Sequence, residues 1–109
     1  LPLCSALLKN QCVPAWDTVD LYPLRADFAV AWRWLKAPMV FSLSELPERA
    51  PMRPEKFCVC LRVMAEMGLA AVDFDGEMLR LRPLPTSGKV DLGASKLLQA
   101  LRDRRQKLL

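Results

Sequence analysis

The sequence predicts an α+β domain, a winged helix-turn-helix with an additional C-terminal helix, and three observations predict it. Residues 53–69 read as one helix with clear punctuation at both ends. Two strand-like runs joined by Asp75-Gly76 follow it at once. Upstream, a helix, a brief strand and a short helix precede it, which completes the winged-helix order. Three helices in that order bury their apolar stripes against each other, and a small sheet covers one end. A generic α+β domain is the rival architecture.

The punctuated helix is the most legible element. Pro54 falls where a first-turn proline is tolerated, because its missing N–H has no intrahelical partner there. Glu55 places a negative charge near the positive end of the helix dipole. Gly68 stands where a left-handed residue closes a helix. Phe57, Cys60, Leu61, Met64 and Met67, with Leu69 beyond the stop, follow the spacing of a buried stripe. On the opposite side the sequence predicts an exposed face with Arg53, Lys56 and Arg62, and Val59 between them.

The remaining elements follow in chain order. Residues 1–20 read as an N-terminal extension or the end of a preceding domain. Their apolar cluster of Leu1, Leu3, Leu7, Leu8 and Val13 suits a strand or a helix equally. Residues 21–83 form the winged-helix core and 84–109 a linker with a basic C-terminal helix. In the core, residues 24–37 carry Leu24, Phe28, Ala31, Trp32 and Leu35 on one helical face, with Trp34 the exposed exception, and Pro38 ends the helix. Residues 39–43 are a brief β-type run. Ser44 reads as the N-cap of a short helix with Pro47 in its first turn. After the long helix, residues 70–74 and 77–83 read as strands. Leu79 and Leu81 alternate there with Arg80 and Arg82, the mark of a half-buried strand, and Asp-Gly supplies the hairpin turn. Residues 92–109 read as a final helix with Leu97, Leu98, Leu101 and Leu108 on its apolar side.

Composition narrows the functional classes. A chain of 109 residues, 52% hydrophobic and 26% charged, is one domain with enough apolar material for a core. It opens on Leu1 without an initiator Met, as expected of a piece of a longer protein. The net charge of +4 is unevenly placed. Residues 1–90 hold 11 Lys/Arg against 10 Asp/Glu, and residues 91–109 hold 5 against 2. Four cysteines (Cys4, Cys12, Cys58, Cys60) do not resemble a disulfide framework, which predicts a cytoplasmic protein with reduced thiols. Cys58 and Cys60 lie roughly 200° apart around a helix, so they cannot jointly grip a metal. No apolar run reaches the length that spans a membrane, and the N-terminus lacks a basic leader.

Four pieces together resemble a known family. They are Tyr22-Pro-Leu-Arg-x-Asp-Phe28, Trp32 to Lys36, Leu61-x-Val-x-x-Glu-x-Gly-Leu69, and Gly88-Lys-Val-Asp-Leu92 with Ser95. In this order and spacing they resemble the C-terminal domain of RecJ-type single-stranded-DNA-specific exonucleases, in the longer form of Gram-positive-type bacteria. The resemblance covers roughly residues 20–102. It implies a parent enzyme of DNA repair and recombination whose catalytic core holds divalent metal in Asp-His-His motifs. A chain without histidine cannot contain that core. Nor is there a phosphate-cradling glycine loop, or a Ser or Cys with a His base. The fragment itself is therefore expected to have no catalytic residues, metal or cofactor. The acidic cluster Asp73, Asp75 and Glu77 reads as a solvated hairpin tip.

Two functions of different class remain. In the first, the domain assists nucleic-acid binding or positioning, with single-stranded DNA as partner. In the second, it is a protein-interaction module for a replication or repair partner, such as a single-stranded-DNA-binding protein, or for the parent's own catalytic core. No membrane partner is expected. The candidate contacts to nucleic acid or an acidic partner are Arg102, Arg104, Arg105 and Lys107 at the C-terminus, Arg53, Lys56 and Arg62 on the long helix, and Arg80 and Arg82 on the returning strand. For these cations the competing reading is ordinary solvated charge. An acidic hairpin tip argues against a DNA-binding wing, because phosphate contact wants cations there.

Overall fold

The computed structural model describes Leu8, residues 24–85, residues 94–99 and Asp103, with side chains from Ala26 onward in the second group. Helix α1 (Leu24–Trp34) runs into strand β1 (Met39–Ser42). A 3-10 turn (Leu43–Glu45) leads into α2 (Leu46–Arg49), and the long helix α3 (Pro54–Glu66) follows. Strands β2 (Ala70–Phe74) and β3 (Met78–Pro83) complete an antiparallel sheet in the order β1-β3-β2. The architecture is α+β: helices packed with one small three-stranded sheet.

The register shows how the sheet joins the core. β3 pairs Leu81 with Met39 and Leu79 with Phe41 on one side, and Leu81 with Val72 and Leu79 with Phe74 on the other. Strand side chains alternate between faces. This register therefore turns Met39, Phe41, Val72, Phe74, Leu79 and Leu81 toward the helices, where Phe41, Leu79 and Leu81 are buried. Val40, Arg80 and Asp73 form a rung on the outer face, with Arg82 opposite Ala71 two residues along.

Several local expectations need correction. The short helical segment is capped from Ser42, not Ser44. The Glu45 carboxylate reaches back to accept the Ser42 backbone N–H at 3.2 Å, as in a capping box, and Pro47 sits in the first turn of α2. The hairpin turn is centred one residue later than expected, on Gly76 and Glu77. Asp75 stands at its first corner, and its Oδ1 accepts the N–H groups of Glu77 and Met78 at 2.9 and 2.8 Å. Gly76 takes φ +101°, a left-handed conformation that favours glycine. Gly68, at φ +74°, closes α3 as the sequence predicts. Trp34 is not an exposed exception. Its ring packs edge-on against Phe57, with centroids 5.2 Å apart.

The main departure concerns α3. A single buried stripe leaves an opposite face in water, but Phe57, Cys58, Val59, Cys60, Leu61, Val63 and Met64 are all buried, five of them without measurable exposure at consecutive positions 57–61. The polar stripe that remains, Glu55, Lys56, Arg62 and Glu66, is narrow, and only Glu66 of the four is exposed. Val59, expected between exposed cations, is inside. The same core takes in Leu8 near the start of the chain and Leu98 near its end.

The final helix, expected over residues 92–109, is interrupted at Ser95. Residue 94 lies in a 3-10 turn, Ser95 is the N-cap, and helix runs over residues 96–99. The Ser95 hydroxyl accepts the Leu98 N–H at 3.2 Å and donates to Glu66 Oε2 at 2.8 Å. Glu66 Oε1 accepts the Lys96 N–H at 2.6 Å, and the Leu97 N–H lies 3.2–3.3 Å from both carboxylate oxygens. A carboxylate at the last position of α3 is unfavourable for that helix's own dipole. Here it serves the opposite pole, the open N–H groups of the following helix.

Candidate functional site

Of the nine cations singled out by sequence, five are among the described residues, and these divide between α3 (Arg53, Lys56, Arg62) and the outer face of the sheet (Arg80, Arg82). Arg53 is exposed at the N-cap of α3. Lys56 is engaged: its Nζ lies 3.0 Å from Asp27 Oδ2 on α1, with the two side chains only 14 and 21% exposed. An ion pair this shielded from water ties α1 to α3 and is costly to break for an outside phosphate. Arg62 is half-buried, and its Nε is shielded from solvent without a hydrogen-bond partner among the described residues. Arg102, Arg104, Arg105 and Lys107 lie outside the described residues.

Arg80 and Arg82 share the outer face of the sheet. Arg80 Nη1 sits 3.5 Å from Asp73 Oδ2 and 3.7 Å from Asp75 Oδ2. All three side chains are at least half exposed, so these pairs are weak and screened by salt. Their consequence is partial compensation only: Asp73, Asp75 and Glu77 are set against one guanidinium, so the tip of the hairpin stays net acidic. The Asp75 carboxyl is held below the usual carboxylate range, first by the backbone N–H of Met78 and then by that of Glu77. It is therefore an acceptor committed to its own turn. Among the described residues, no group of three or more His, Cys, Asp or Glu is placed to hold a metal ion.

The outer face also carries a shallow groove of about 410 Å3, bounded by Pro38, Val40, Ala71, Asp73, Arg80 and Arg82. Val40 is 55% exposed there. Its exposure follows from the register, since Val40 pairs with Arg80 on the side of β1 opposite Phe41. The sequence signal was available in the alternation of the 39–42 run, but its assignment to one face required knowledge of the partner strand.

The thiols of α3 have no place in surface chemistry. Cys58 and Cys60 are buried thiols. Burial foremost, and then the Asp27 carboxylate, push the Cys60 thiol up to about 12 against the opposing Lys56 ammonium. It is a protonated, inert packing group at neutral pH. Of the aromatic rings, Trp32 is half-buried with its ring 6.3 Å from Phe28, and Trp34 is half-buried and edge-on to Phe57, so both are partly engaged in the core. Trp16 and Tyr22 lie outside the described residues. Among the described residues, no helix is long and apolar enough to cross a membrane.

No protein-family model, no curated protein and no solved structure matches the chain.

Proposed function

We propose that this chain is a non-catalytic C-terminal accessory domain of a RecJ-type single-stranded-DNA-specific exonuclease, acting in bacterial cytoplasmic DNA repair and recombination. The element order and the β1-β3-β2 sheet support a winged helix-turn-helix with an additional C-terminal helix. The motifs at residues 22–28, 32–36, 61–69 and 88–95 support the family. Divalent metal belongs to the parent's catalytic core in this reading.

Of the two ways such a domain serves its enzyme, protein docking, to a replication or repair partner or to the parent's own catalytic core, is the better supported. One observation carries this: α3, in the position of a recognition helix, is buried over all of residues 57–61 and keeps only a narrow polar stripe. In a helix-turn-helix that helix enters the major groove with its N-terminal exposed face. Here the N-terminal half is occupied by Phe57, Cys58, Val59 and Cys60, all buried, and Lys56 is paired with Asp27. A hairpin tip that stays net acidic points the same way. Nucleic-acid positioning is the second reading, favoured by the basic excess of residues 91–109.

Two binding measurements separate these readings. The docking reading expects the isolated catalytic core of the parent exonuclease to capture the chain in a pull-down, and failure to capture it counts against docking to that core. The nucleic-acid reading expects single-stranded DNA to bind at low salt with an affinity that falls steeply as salt rises. It further expects weakening when Arg102, Arg104 and Arg105 lose their charge, and undetectable binding at low salt would sink it.

A further inference from the structure

We draw no further inference here: the strongest candidate, the shallow apolar groove on the outer face of the sheet between Pro38, Val40, Ala71 and Arg82, carries nothing because the structure does not show what covers it.

Discussion

Truncating Val59 to alanine probes the enclosure of α3 at the position where sequence and structure differ most. Val59 has no measurable exposure. Val59→Ala removes two methyl groups from that environment, at about 0.8 kcal/mol each in transfer free energy. A residual cavity adds up to about 1 kcal/mol, depending on how far the neighbours relax. The expected loss is therefore roughly 1.5–2.5 kcal/mol, and for a domain of this size the melting temperature falls by on the order of 10 °C. Chemical denaturation followed by circular dichroism reads the free energy directly. Arg53→Ala is the control, because Arg53 is exposed and its loss stays within about 0.5 kcal/mol. If Val59→Ala changed stability by no more than Arg53→Ala, the helix would have a solvent face at Val59. The argument from enclosure would then fail.

Two further outcomes follow from the same contacts. Glu66→Ala removes the carboxylate that meets Ser95, Lys96 and Leu97, and loss of a cap costs about 1 kcal/mol. Hydrogen exchange at residues 96–99 is expected to accelerate while the amides of α3 keep their protection; equal acceleration in both would refute a local capping role. Asp75 provides a pH test. Its carboxyl pKa is lowered in the folded chain, so it contributes stability above its unfolded pKa and loses that contribution as pH falls through the folded value. Acid titration of stability is expected to be shallower in Asp75→Asn than in the parent chain, and identical profiles would contradict it.

The legible parts of this fold were those written locally. Pro54 and Gly68 bracket α3 because a missing N–H and a left-handed φ are properties of single residues. The hairpin was visible because Asp-Gly interrupts two alternating runs. What sequence could not place were contacts between distant segments. Ser95 is recognisable as a cap only with Glu66 beside it, and the two are 29 positions apart. Lys56 looks like a free surface cation until Asp27 is brought to 3.0 Å by the packing of α1 on α3. Trp34 looked exposed on a helical wheel because the wheel does not show where Phe57 lies. Val59 is instructive in a different way. The unbroken run from Phe57 to Leu61 signalled burial on more than one side, but a periodic template extracts only one stripe from it.

The candidate site was less legible than the fold. Charges name surfaces only when their neighbours are known, and Arg80 shows why: Asp73 meets it across the strand pair and Asp75 from the turn. The sequence did register the acidity of that tip. It did not reveal the outer-face groove, since Val40 and Ala71 are joined only through β3.

The most direct test of the enclosed helix is thiol reactivity of Cys58 and Cys60 in a variant carrying Cys4→Ser and Cys12→Ser. The two cysteines point roughly 200° apart around α3, on either side of Val59, so their joint protection tests burial on two separate sides of the helix. Both are buried here. Native protein is expected to leave both unmodified by iodoacetamide at neutral pH, with both reacting once denaturant unfolds the chain. Rapid modification of either one in the native state would contradict the account, because it would return α3 to the surface where a DNA-reading helix belongs.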